Sequence, residues 1–203
     1  MKPQALLTPS LKKDISNLIK NKIVLVTGGT GSFGKIIVAQ LLQFSPKKII
    51  IYSRTEDKQV QMMHHYKNNN KLFFQLGDVR DIDALRRTMK GVDYVFHAAA
   101  QKQVPVSEYN VLEAIKTNIL GAQNVIDVCR ENDVKIAIAI STDKAVEPVN
   151  AMGMTKALQE KLFIQANVNQ RGSKTIFACA RYGNVMGSTG SVIPYFSRLI
   201  KNK

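Results

Sequence analysis

The run "STDKAVEPVNAMGMTK" at 141–156 places a hydroxyl, a carboxylate and an ammonium side by side at Thr142, Asp143 and Lys144, with a second ammonium, Lys156, twelve residues on. Met152, four residues before Lys156, stands where a proton carrier would be expected, and its thioether neither donates nor accepts a useful proton. The bland alternative for Thr142–Lys144 is a helix cap with exposed charges.

A second constellation lies near the N-terminus. In "TGGTGSFG", Thr27 to Gly34, residues Gly28, Gly31 and Gly34 have GxxGxxG spacing, and Gly29, Gly31 and Gly34 satisfy GxGxxG, with Thr30, Ser32 and Phe33 between them. The turn follows an apolar strand and opens a helix, so backbone N–H groups and the positive end of the helix dipole face one point, as pyrophosphate binding requires. The next strand ends in "YSRTEDK": Ser53 and Arg54 stand where an NAD site carries an acid for the ribose hydroxyl, and Lys58 follows. Arg54 would attract a 2′-phosphate that an acid would repel, so the reading is NADP before NAD. Asp78, followed by Val79 after a third strand, is placed to meet the adenine amine or to cap the helix that follows. In a dinucleotide enzyme Lys156 binds the nicotinamide ribose and lowers the pKa of a neighbouring proton acceptor.

These positions fall at the ends of alternating elements. "KIVLVT", "KKIIIYS", "KLFFQLGDV", "DYVFHAAA", "KIAIAIST" and "KTIFACARYG" read as six buried strands, separated by helices that include "FGKIIVAQLLQF", about 111–132 and "AMGMTKALQEKLFIQANV". Continuous apolar runs between helices predict an α/β, doubly wound parallel sheet, a Rossmann fold, which binds ligands at the carboxyl ends of its strands. Residues 1–21 read as an added N-terminal helix, with Ser10 as N-cap and Leu11, Ile15, Leu18 and Ile19 as one apolar stripe that packs on the domain or on a second subunit. Residues 22–203 form the dinucleotide-binding domain, ending in a helix over "SVIPYFSRLIKNK".

The chain carries a net charge of +14, but its Lys and Arg are scattered, with no basic block or aromatic-interleaved stripe, which argues against nucleic acid. From Asn150 onward there are eight Lys or Arg and one acid, Glu160, an imbalance that suits a small polyanion such as a nucleotide diphosphate. Arg181, Tyr182 and Asn184, after the sixth strand, are assigned to that substrate. No run reaches the roughly 18 apolar residues of a membrane span, so a soluble cytoplasmic protein is expected. Cys129 and Cys179 read as buried free thiols, and His64-His65 as a solvated helix face rather than a metal site.

Taken together, the glycine turn, Asp78, the Ser/Thr after strand five and the lysine helix resemble the extended short-chain dehydrogenase/reductase family. More narrowly, "TGGTGSFGK", "YSR", "GDVRD", "VDYVFHAAA", "KTNILGAQNV", "STDKA", "PVNAMGMTKA" and "RYGNVMGSTGSVIP" resemble UDP-N-acetylglucosamine 4,6-dehydratases of polysaccharide biosynthesis, from about Lys22 to the last residue. Met152 departs from the usual Tyr-x-x-x-Lys and is similar to the C5-inverting subgroup. The resemblance implies a redox-neutral reaction: oxidation at C4, loss of water across C5 and C6, reduction at C6, and reprotonation of C5 on the opposite face. Residue by residue, it implies Asp143 as acid to the C6 hydroxyl and Lys144 as base at C5, made basic by burial beside Lys156. Thr142 would bind the C4 oxygen, and Lys156 would hold the ribose and help deprotonate the C4 hydroxyl. Met152 would shape the pocket, Ala98, Ala99 and Ala100 would line the cofactor, and Lys102 would lie near the sugar. Gln101 stands where relatives carry an apolar residue. The substrate is then UDP-N-acetylglucosamine or a related UDP-sugar, with a C5-retaining dehydratase, a 4-epimerase or an inactive NADP-binding fragment as alternatives. The resemblance also implies a homo-oligomer, and a C-terminal substrate segment that is largely absent from these 203 residues.

Overall fold

The structure is a computed structural model; it describes residues 8–170, 172–185, 196 and 199–200. Six strands, β1 (Ile23–Thr27), β2 (Lys48–Ser53), β3 (Leu72–Leu76), β4 (Tyr94–His97), β5 (Ile136–Thr142) and β6 (Ile176–Tyr182), form one sheet in the order 3-2-1-4-5-6. Every pairing is parallel, with Thr27 opposite both Tyr52 and His97, and Thr142 opposite Tyr182. The order reverses between β1 and β4, so a crevice opens above their carboxyl ends.

Alternation along each strand feeds two cores, one per face of the sheet. Val24, Val26, Ile49 and Ile51 pack with Val38 and Leu41 of α2 (Ser32–Leu42) and Met62 of α3 (Glu56–His65). Leu25, Ile50, Tyr52 and Val95 pack with Leu85 of α4 (Ile82–Thr88), Val125, Ile126 and Cys129 of α7 (Gly121–Glu131), and Phe163 of α8 (Ala151–Val168).

The N-terminal helix, α1 (Pro9–Ile19), is capped two residues before the expected Ser10: Thr8 accepts from Leu11 N, and Pro9 sits at the first position, where a missing N–H costs nothing. Only half of its stripe packs. Ile15 and Ile19 lie on the first core, whereas Leu11 and Leu18 stay exposed.

The helical region expected over 111–132 starts earlier and is broken. It comprises α5 (Val104–Tyr109), α6 (Val111–Ala114), a π-helical segment over Ile115–Leu120, and then α7. Asn118, buried in the π segment, donates to Gln101 O and accepts from Gln101 N, fixing the loop after β4, and donates to Thr155 Oγ1 of α8. The helix expected over 191–203 lies outside the described residues, apart from Phe196, Leu199 and Ile200.

Candidate active site

One cleft of about 570 Å³ lies above the carboxyl ends of the strands. Its walls gather most of the residues singled out in the sequence. Gly28, Thr30, Gly31, Ser32, Phe33 and Gly34 come from the first turn, and Ser53, Arg54 and Lys58 from the end of β2 and the start of α3. Asp78 and Val79 follow β3, and Ala98, Ala99, Ala100 and Lys102 follow β4. Thr142, Lys144, Met152, Lys156, Tyr182 and Asn184 complete the wall. Thr27, Gly29, Asp143 and Arg181 do not line it.

Behind the glycine turn, Thr27 is fully buried and its hydroxyl shares a hydrogen bond with His97 Nδ1 at 2.8 Å while accepting from Ala99 N. Gly28 has φ +65°, and a Cβ there would lie 2.7 Å from the Ala98 carbonyl; a Cβ at Gly34 would strike the Gly29 backbone. These glycines let the chain turn tightly and α2 pack close to it. Gly31 caps α2 without a side-chain hydrogen bond of its own, and the helix opens into the cleft with the positive end of its dipole. A close backbone, an eleven-residue helix and Arg54 at the far end fit a dinucleotide diphosphate.

At the adenosine end, Ser53 is held by Gln59, whose amide donates to Ser53 O, Ser53 Oγ and Gln75 O. Asp78 does not cap α4, a role taken by Asp81, which accepts from Ala84 N at 2.9 Å. Its carboxylate instead takes Arg80 at 2.6 Å and Arg54 at 3.6 Å, and Arg80 reaches on to Glu113. Burial opposes ionisation of Asp78, but the Arg80 hydrogen bonds prevail and hold it below the usual carboxylate range. Tyr52 donates to Asp78 O, and burial with the nearby acids pushes its hydroxyl up to about 12.

At the opposite end, Thr142 Oγ1 donates to Asp143 Oδ1 at 2.8 Å, and the same oxygen takes Lys144 Nζ at 3.2 Å. The Thr142 bond, with Lys144, keeps Asp143 below the usual carboxylate range. Lys144 is about one-third exposed (36%) and also donates to Asn184 Oδ1 at 3.1 Å; it is ion-paired at the cleft mouth rather than buried beside Lys156. Lys156 is the buried ammonium, 5% exposed. Its Nζ donates to Ile140 O and Gln159 Oε1, each at 2.5 Å, and burial pulls it from 10.5 to about 8. Met152, 5% exposed, packs in the first turn of the same helix, which Asn150 caps through Gly153 N.

Arg181 is not offered to a substrate. Its Nε and Nη2 take both oxygens of Glu160, a residue buried on α8, at 2.8 and 2.5 Å. Arg181→Leu is therefore expected to lower the urea midpoint at neutral pH by stranding that carboxylate. The loss should shrink in acid: Arg181 depresses the folded-state pKa of Glu160, so its contribution is present above the unfolded value of 4.5 and fades as pH falls through the folded one. Tyr182, the neighbour of Arg181, faces the cleft and stacks on Phe33 at 6.1 Å and 10°.

Sequence reading missed His97, Gln159, Glu160, Gln59 and Asn118. Each is a polar side chain inside an apolar or helical run, and that anomaly was the available signal. His97 is fully buried against Phe163, and burial with the nearby Lys156 charge drives it down to about 3, so the imidazole is neutral.

A 3-2-1-4-5-6 parallel sheet, a glycine turn at its switch point and a buried lysine on the helix after β5 define the Rossmann architecture of the extended short-chain dehydrogenase/reductase class. Within that class the chain belongs to the polysaccharide biosynthesis protein family, which it matches over residues 24–203. It is 54% identical over 184 residues to the UDP-N-acetylglucosamine 4,6-dehydratase (inverting) of Campylobacter jejuni subsp. jejuni serotype O:23/36 (strain 81-176), covering 90% of this chain and 55% of that protein. Identity to a UDP-glucose 4-epimerase of Rickettsia bellii (strain RML369-C) is 53% over 186 residues, covering 89% and 54%. Among solved structures, Pen from Bacillus thuringiensis superposes with a TM-score of 0.90 at 41% identity, covering 91% of this chain and 59% of that one. The dTDP-glucose 4,6-dehydratase DesIV of Streptomyces venezuelae shares the fold, with a TM-score of 0.76 at 23% identity, covering 88% and 62%. The chain thus spans about half the length of the curated relatives it matches. No helix among the described residues is long and apolar enough to cross a membrane.

Proposed function

We propose that the chain acts as a UDP-N-acetylglucosamine 4,6-dehydratase that inverts C5, in the cytoplasm and as a homo-oligomer, with NADP as its cofactor. The observation that carries this reading is Lys144, which lines the same cleft as Lys156 and Met152 and is ion-paired with the adjacent Asp143. Arg54, at the end of β2 where an acid would select NAD, supports the phosphorylated cofactor. That cofactor supplies a reversible acceptor for the two electrons removed at C4 and returned at C6.

The residues handle the protons. Lys156, close to half neutral near pH 8, accepts the C4 hydroxyl proton in the place a tyrosine would fill. Thr142 orients the C4 oxygen. Asp143 and Lys144 rest as an ion pair, so one proton first passes from the ammonium to the carboxylate across their 3.2 Å contact. Neutral Lys144 then removes the C5 proton as Asp143 gives its own to the departing C6 hydroxyl. Water leaves, a C5–C6 double bond forms and the ion pair is restored; the proton that C5 regains on its opposite face comes from solvent.

The test is incubation with UDP-N-acetylglucosamine and NADP+ in deuterated water, read by mass spectrometry and NMR. Loss of one water, with deuterium at an inverted C5 and weaker activity with NAD+, is the expected result. The Rickettsia relative favours a second reading, in which the product keeps its mass and is inverted at C4. A retained C5 would make the enzyme a retaining dehydratase, and unchanged substrate with tightly bound NADP would sink the catalytic reading.

A further inference from the structure

We propose that Gln159, one helical turn beyond Lys156 on α8, is the positioning residue that aims the Lys156 ammonium into the cleft and sets the pH at which it releases its proton. Gln159 is fully buried, yet its amide oxygen is spent on Lys156 Nζ at 2.5 Å and its Nε2 has no partner among the described residues. An ammonium donates and never accepts, so the amide must present its oxygen to Lys156, which leaves the amide nitrogen facing the core. A leucine there would bury no polar group at all; the acceptor is what a glutamine adds.

The geometry gives that acceptor a task. Lys156 has three N–H groups; Ile140 O takes one and Gln159 Oε1 another. The third is left for the cleft that Lys156 lines. Without Gln159, the four-carbon stem would be fixed by a single backbone carbonyl.

The same acceptor acts on charge. Burial disfavours the ammonium, whereas a hydrogen bond to it favours it. Other charged groups around Lys156 are accounted for. His97 of β4 is neutral, Glu160 of α8 is paired with Arg181 of β6, and burial raises the Cys179 thiol of β6 to about 11. Asp143 and Lys144 pair with each other on the turn after β5, and Glu113 pairs with Lys116 ahead of α7. Glu108 of α5 accepts from Ala151 N at the start of α8, and Arg130 of α7 donates to Ala166 O and Asn169 O near its end. Gln159 is the neutral group whose replacement changes the balance at Lys156 with least disturbance elsewhere.

The inference rests on the functional reading only for its rate measurement, so two readouts separate them. Lys156 is titrated by NMR in lysine-labelled protein, assigned with Lys156→Met, in wild type, Gln159→Glu and Gln159→Met. Gln159→Glu is expected to raise the midpoint and Gln159→Met to lower it, each by about one pH unit, or roughly tenfold in the neutral fraction. The pH profile of C4 oxidation should move with the same signs. Midpoints that stay put, or move the same way in both variants, overturn the proposal, and either variant alone decides if the other does not fold. If the midpoints move as expected while the rate profile does not, Gln159 keeps its role and Lys156 loses its place as base.

Discussion

Asp143→Asn is expected to cut dehydration by about 10²–10⁴-fold, the range for loss of one general acid, while leaving exchange of the C5 proton with solvent. The two roles separate because, in the proposed mechanism, each half of the pair would act on a different atom of the sugar. Asparagine keeps the hydrogen bond from Thr142 but has no proton for the C6 hydroxyl. Lys144, no longer neutralised by the carboxylate at 3.2 Å, must shed its proton to solvent before it can act. Recovered substrate should therefore carry deuterium at C5 without having lost water. Lys144→Met should abolish both exchange and dehydration. Deuterium exchange that survives in Lys144→Met would remove Lys144 as the base, and full dehydration by a folded Asp143→Asn protein would remove Asp143 as the acid.

Lys156→Met is expected to lower C4 oxidation by a similar 10²–10⁴-fold and also to change how stability depends on pH. Burial lowers Lys156 from 10.5 unfolded to about 8 folded. Below pH 8 both states hold the proton, and the folded state bears the full penalty of the buried charge, about 3 kcal/mol. Between about 8 and 10.5 the unfolded chain binds more protons than the folded one, so wild-type stability rises with pH. Relative to Lys156→Met, the urea stability of the wild type should climb across that window and level off above it. Parallel curves for the two proteins would mean that Lys156 is not a buried ammonium. If Lys156 is the base proposed, C4 oxidation should increase with pH through about 8, because only the neutral amine would take the hydroxyl proton.

Fold and site were legible to different depths. β1, β2 and α8 fall where their sequence puts them, because a run such as "IVLVT" or an eighteen-residue helix with a capping Asn150 has few other ways to satisfy its backbone. The break between α5 and α7 was not legible: apolar spacing reports a helix without showing where its period slips from 3.6 to a wider turn. Pro105 sits in the first turn of α5, where a proline breaks no helical hydrogen bond. In the site, the glycine turn announces itself because only glycine fits there. Arg181 did not, because its partner Glu160 lies on a different element and a basic stretch looks the same whether its charges are free or engaged. Lys144 lies at the cleft mouth rather than buried beside Lys156 for a related reason. Their spacing is visible in sequence, but which one sinks under the sheet edge depends on α8 packing against β5 and β6.

The π-helical segment gives the chain a fixed ruler. Six residues at 115–120 take the wide turn that puts Thr117 and Asn118 inward and still brings Ala122, Val125, Ile126 and Cys129 of α7 onto the sheet. Removing one residue would close the wide turn to the α period, so that Thr117 and Asn118 could no longer both point inward and Asn118 would leave the loop it holds. Substitutions along this stretch can be absorbed one side chain at a time; a lost or gained codon cannot.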